Sequence, residues 1–132
     1  MVNESGISEA VPLQAVISPV TPVLSPGASI EDFKKFKFVV ACIKEAVIHP
    51  NADKLFVLKV DTGTEVRQLV AGIRRSYTSE QLIGRRVVII ANLAPALIRG
   101  VESQGMLLAA SDDQGVSILQ PDRDVVVGSA VK

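Results

Sequence analysis

The chain has 132 residues, 48% of them apolar, with one tyrosine, four phenylalanines and no tryptophan. That suffices for one globular domain with an aliphatic core and is too little for two. Lysine plus arginine and aspartate plus glutamate each total 14, so the net charge is zero and, averaged over the chain, argues against a polyanionic partner. Single copies of cysteine (Cys42) and histidine (His49) exclude an internal disulfide and a Cys/His metal cluster, and both suit a reducing, cytoplasmic setting.

Residues 1 to 28, "MVNESGISEAVPLQAVISPVTPVLSPGA", lack a basic start and are broken by Pro12, Pro19, Pro22 and Pro26, so they do not read as a signal peptide. They read as an extended arm or linker, with residues 29 to 132 as the folded domain. No uninterrupted apolar run approaches membrane-spanning length, and no membrane partner is expected. Ser29 and Asp32 resemble a capping box that opens a short helix ending near Phe36. "FVVACIKEAVIH" is β-branched and reads as a long strand that bends where Lys44 and Glu45 interrupt it, before "HPNAD" breaks it. "KLFVLKVDTG" and "EVRQLVAGI" read as a hairpin. In "RRSYTSEQLIGR", Thr78 or Ser79 can cap a single helical turn that Gly84 ends. "RVVIIANL", "MLLAAS", "GVSILQ" and "DVVVGSAV" supply further strands. Six to seven short strands with one small helix after the third predict an all-β fold. The expected architecture is a five-stranded barrel of the OB type, with the helix between strands three and four and extra strands at the C-terminus. No βαβ alternation points to a parallel sheet.

The neutral total hides a segregation of charge. Residues 1 to 33 hold four acids and no base, whereas Lys34 to Ala109 hold twelve bases against six acids. Within that stretch Arg67, Arg74, Arg75, Arg85, Arg86 and Arg99 have only Glu80 between them. A solvated face is the usual fate of such residues, but the repeated choice of arginine suits forked contacts to phosphate. Stacking aromatics are missing, because Phe38 and Phe56 fall in strand runs and read as core. Shape recognition of a folded RNA is therefore expected over the reading of a flexible strand.

Catalysis is not expected. Around Ser103 the nucleophile-elbow pattern fails at Val101, no histidine follows, and neither a phosphate-binding loop nor a dinucleotide fingerprint occurs, so no cofactor is anticipated. His49, held extended by Pro50, reads as a turn histidine bonded to local backbone, and Cys42 as a small buried hydrophobe. "VESQGMLLAA" is different. Gly105 would let another molecule approach the backbone, Ser103 and Gln104 add hydrogen-bonding groups, Met106 starts an apolar run, and Asn92 is expected to face them.

"HPNADKL", "VDTGTEVRQLVAGI" and "LIGRRVVIIANLAPALIRGVESQGMLLAA" resemble the tRNA-binding domain found at the C-terminus of many methionyl-tRNA synthetases, as a free-standing tRNA-binding protein, and in the endothelial monocyte-activating polypeptide group. The resemblance covers Phe33 to Lys132. It implies a non-catalytic OB-fold module that binds tRNA by shape with little sequence preference, serves an aminoacyl-tRNA synthetase, methionyl above all, and forms a homodimer. It also implies that Lys54, Arg67, Asn92, Ser103 and Met106 line or border the RNA face; the reading of the residues themselves adds Gln104 and the cations Arg74, Arg75, Arg85, Arg86 and Arg99. The chain departs from the family pattern in the first strand, where Val39, Ala41 and Cys42 replace arginine, glycine and lysine, and Ala71 stands where serine is usual. Arg74 and Arg75 are additional, so the RNA-facing surface is expected to shift toward their loop. The lost cations motivate a second reading, an assembly or dimerisation module with a weakened RNA face. A bacterial secretion-associated chaperone branch of the same fold lacks the "SQGM" and "DKL" signatures, which favours the synthetase-linked branch.

Overall fold

A computed structural model describes residues 27 to 132, so all but the end of the arm read over residues 1 to 28 lies outside the described residues. A short helix α1 (Ile30–Lys34) is followed by β1 (Phe38–Ile48), β2 (Phe56–Asp61), β3 (Val66–Ala71), α2 (Ser79–Leu82) and β4 (Arg86–Ile90). The chain continues through β5 (Ala96–Ile98), β6 (Val101–Ser103), β7 (Met106–Leu107), β8 (Ala109–Asp112), β9 (Gly115–Ile118) and β10 (Ala130–Val131).

The main sheet runs β3-β2-β1-β4-β7, every pairing antiparallel, and β10 extends it by pairing with β1 at Phe38 and Val39. The first half of β1, from Val39 to Ile43, is apolar on both faces because both are covered there. Val39, Ala41 and Ile43 point into the barrel core, while Val40 lies against the C-terminal segment, bonded through its N–H to Ser129 O at 2.9 Å. The expected bend is a bulge: the β1–β2 register shifts between Ile43 and Glu45, Lys44 and Glu45 are both exposed, and the inward phase moves from Ile43 to Ala46.

The core is aliphatic, as composition predicts, with Ile43, Leu58, Val60, Leu69, Leu82, Val87 and Ile89 fully buried. Leu82 comes from α2, whose Thr78 N-cap and Gln81 form a capping box, and Gly84 leaves the helix at φ +90. Phe56 belongs to this core, but Phe38 does not. Its ring, half-buried, stacks on Phe33 at 5.1 Å and tilts against Phe36 at 6.0 Å, so the two phenylalanines that share the first helical stretch meet it outside the barrel.

Three strand assignments change. "MLLAAS" splits between β7, in the barrel, and β8, which pairs with β9 in a separate hairpin. "DVVVGSAV" contributes only β10. The β5–β6 hairpin in "APALIRGVES" was not anticipated; its turn is made by Arg99 and Gly100, both at positive φ (52 and 89), a pairing that the sequence shows only as one glycine after an arginine.

The barrel closes through one backbone bond and several side-chain bonds. Between β3 and the Glu102–Gly105 segment, Gln104 N donates to Gln68 O at 2.7 Å and Gln104 Oε1 accepts from Gln68 N at 3.0 Å. Ser103 Oγ accepts from Val70 N at 3.0 Å and donates to Gly105 O at 3.0 Å. Gly105 is wedged where a Cβ would lie 2.6 Å from Ile90 O and 3.0 Å from Leu69 Cδ2. The result is a nearly closed, five-stranded OB-like barrel with a short helix and extra strands.

Candidate nucleic-acid interface

Three loops meet beside the far end of β1, and His49 joins two of them. Its ring is 2% exposed; Nδ1 accepts from Asn51 N at 2.9 Å, and Nε2 lies 2.9 Å from Ile98 O. A backbone N–H on one ring nitrogen and a carbonyl on the other require the neutral Nε2–H tautomer. The histidine thus bonds local backbone, as expected, and also reaches across to the β5–β6 hairpin. Asn51 completes the clasp: its Nδ2 donates to Arg99 O at 3.2 Å, and Arg99 NH2 donates back to Asn51 O at 3.1 Å.

The third loop follows β3. Arg74 N donates to Lys54 O at 3.3 Å, and Arg74 NH1 donates to Asp53 O at 2.7 Å. Lys54, Arg74 and Arg99 are thereby held around one turn, with exposed Arg75 next along the chain. The side chains of Lys54 and Arg75 make no hydrogen bond or ion pair with another described residue, which leaves their charge available. The arginine contacts go to backbone carbonyls and not to carboxylates, so they orient the guanidinium groups without neutralising them.

The other candidates lie elsewhere or are already engaged. Arg67 donates through Nε to Glu65 at 2.9 Å and through NH1 to Gln104 O at 2.8 Å, bracing the closing seam. Arg85 lies over the Tyr77 ring at 5.2 Å and donates to Gln81 O, while Arg86 pairs with Asp124 at 3.4 Å. Those two arginines border a separate polar depression with Arg123, Asp122 and Asp124. Among the described residues, the basic run in the sequence therefore folds into two groups and not one surface.

Within "SQGM" only Met106 is exposed, at 51%. Ser103, expected at the rim, is 3% exposed with its donor and acceptor both used, and the close approach that Gly105 permits is taken by the protein's own Ile90 carbonyl. Gln104 is half-buried in the seam. Asn92 does not face these residues: its Oδ1 accepts from Lys37 N at 2.7 Å and its Nδ2 donates to Lys35 O at 2.8 Å, tying the start of β1 to the end of β4. Val39 and Cys42, where the family pattern has cations, are buried, so neither presents a side chain to a ligand.

Beside the cation-bearing loops, an apolar cleft of about 440 Å³ opens between β3 and the β4–β5 connection, walled by Val70, Ile73, Leu93, Ile98, Met106 and Val116. No group of three or more His, Cys, Asp or Glu that could hold a metal ion occurs among the described residues, and no helix among them is long and apolar enough to cross a membrane.

Residues 38 to 130 match the family described as "Putative tRNA binding domain". The chain belongs to the tRNA-binding domain family. It is 54% identical over 102 residues to a methionine–tRNA ligase of Thermococcus onnurineus, matching 77% of this chain and 14% of that relative, so it spans only a small part of the synthetases it resembles. In three dimensions it is similar to a methionyl-tRNA-synthetase-related protein from Pyrococcus horikoshii, with a TM-score of 0.75 and 35% identity, covering 82% of this chain and 100% of that one. The chaperone CsaA from Bacillus anthracis is also similar, with a TM-score of 0.73 and 26% identity, covering 81% of this chain and all of that one. The tRNA-binding domain thus has relatives in both branches weighed from the sequence. What sequence reasoning missed is the scaffold role of His49 and Asn51 and the cleft residues Leu93, Ile98 and Val116. The "HPN" turn was the available signal, since a histidine and an asparagine flanking a proline in a turn are well suited to bond backbone.

Proposed function

We propose that this chain is a non-catalytic tRNA-binding module that grips the phosphate backbone through Lys54, Arg74, Arg75 and Arg99 and recognises shape more than sequence. The carrying observation is the His49–Asn51 clasp, which holds cations from separate loops around one turn, where the side chains of Lys54 and Arg75 have no hydrogen-bond or ion-pair partner among the described residues. Phosphate contacts supply affinity and position but no sequence information, so all tRNA species should bind about equally. Arg67 and Gln104 brace the closing seam, with Met106 exposed beside it, while Ser103 and Asn92 hold the barrel together.

The module retains or delivers tRNA for an aminoacyl-tRNA synthetase, methionyl above all, in the cytoplasm and as a homodimer. Similarity to the methionine–tRNA ligase supports the synthetase, and the full-length match to the synthetase-related protein supports action as a separate domain. The assembly reading keeps its motive in the first strand, where Val39 and Cys42 are buried and offer no cation, but the cations held together around Lys54, Arg74 and Arg99 favour the RNA reading. Fluorescence anisotropy of labelled, unfractionated tRNA, titrated at several salt concentrations, tests the proposal. Tight binding that weakens steeply with salt supports it, and no binding at low salt refutes it.

A further inference from the structure

We propose that the apolar cleft beside the cation-bearing loops takes one unstacked nucleobase of a bound RNA and does not read its identity. This rests on the tRNA-binding reading above and adds what that site takes besides phosphate. The cleft, about 440 Å³, lies in the size range of small-ligand sites. Its position relative to charge is the main argument. Two wall residues are each followed directly by an anchored arginine: Ile73 by Arg74, held to Asp53 O, and Ile98 by Arg99, held to Asn51 O. The guanidinium groups do not line the cleft itself, and Arg99 borders an adjoining depression with Asp53 and Lys54, so an apolar slot and a cationic depression are built from neighbouring residues of the same segments. That pairing complements a nucleotide, whose ring is apolar on its faces and whose phosphates flank it. Folded RNA offers such bases in its loops, where they are already unstacked.

The walls explain why identity would go unread. Among the described residues, Ser103 is the only one to line the cleft with a hydrogen-bonding side chain, and its hydroxyl is committed to Val70 N and Gly105 O. Discrimination between bases needs unspent donors and acceptors aimed at their edges, and the side chains on these walls present aliphatic carbon and the Met106 thioether. Contact with a base face is available to any base, so the cleft adds affinity without sequence preference, in keeping with recognition by shape.

The test is methyl NMR on the intact chain carrying ¹³C-labelled Ile, Leu, Val and Met methyls, titrated with unfractionated tRNA at low salt. Upfield ring-current shifts concentrated on Ile73, Ile98 and Met106 are expected. In parallel, Ala94→Trp, at an exposed cleft position, fills the slot and should weaken tRNA binding about tenfold, the scale of one base contact, with the salt slope unchanged. Binding that leaves these methyls unshifted overturns the inference while sparing the tRNA reading, as does wild-type affinity in a folded Ala94→Trp protein. Shifts produced by an apolar peptide and not by tRNA also overturn it. Failure of the wild type to bind tRNA at low salt overturns both.

Discussion

Ser103→Ala separates a structural from a ligand-contacting role for the segment that the sequence marks most strongly. The serine hydroxyl is the acceptor for Val70 N–H and the donor to Gly105 O, each at 3.0 Å, within a seam where Ser103 is 3% and Val70 9% exposed. Alanine removes both bonds. Gly105 O is half-buried and can turn to water, but the Val70 N–H is left enclosed without an acceptor, which costs about 1–3 kcal/mol. Taking the middle of that range, about 2 kcal/mol, and a shift of about 4–8 °C per kcal/mol for a domain near 100 residues, Tm should fall by roughly 8–16 °C. Thermal unfolding followed by circular dichroism reads this directly. tRNA affinity, measured well below the new Tm, should stay within about twofold of wild type because the oxygen faces inward. A variant that keeps its Tm and loses tRNA binding would refute this reasoning and place Ser103 in contact with RNA.

Gly105→Ala should be more damaging, about 3 kcal/mol, because the added carbon meets a backbone carbonyl 2.6 Å away that cannot rotate aside; urea denaturation checks it. Asn92→Ala breaks the bonds to Lys35 O and Lys37 N on an exposed edge, costs about 1 kcal/mol by the same assay, and should leave tRNA affinity unaltered. His49→Ala should lower both stability and tRNA affinity, since Arg99 and Lys54 lose their common support. His49→Gln, which retains a donor and an acceptor, should recover part of each, and a calorimetric and anisotropy series on the two variants tests the pairing.

Most of the barrel was legible because its signals are local. The alternation and turn residues of "KLFVLKVDTG" and "EVRQLVAGI" describe β2 and β3, the adjacent charges Lys44 and Glu45 mark the bulge, and Thr78 with Gln81 forms the helix cap. The β5–β6 hairpin was not, since its turn depends on Arg99 adopting a left-handed conformation that arginine does not advertise. The site was harder for the same reason at longer range. Composition identified the arginines, but which of them share a surface is decided by loop-to-loop bonds such as Asn51 to Arg99 and Arg74 to Asp53, 48 and 21 residues apart. The serine of "SQGM" misled because a polar side chain that closes a barrel has the same residue type as one that meets a ligand.

The most direct test compares salt dependence between two pairs of neutralised arginines. tRNA binding is measured by anisotropy across a range of salt concentrations for wild type, Arg75→Gln/Arg99→Gln, and Arg85→Gln/Arg86→Gln. The first pair belongs to the proposed phosphate-gripping surface, and its slope of log affinity against log salt should fall by about two, roughly one per lost contact. The second pair, engaged with Tyr77 and Asp124 on the separate depression, should leave the slope unchanged. A slope that drops for the second pair and holds for the first would contradict the account and move the RNA to the depression beside Arg85 and Arg86.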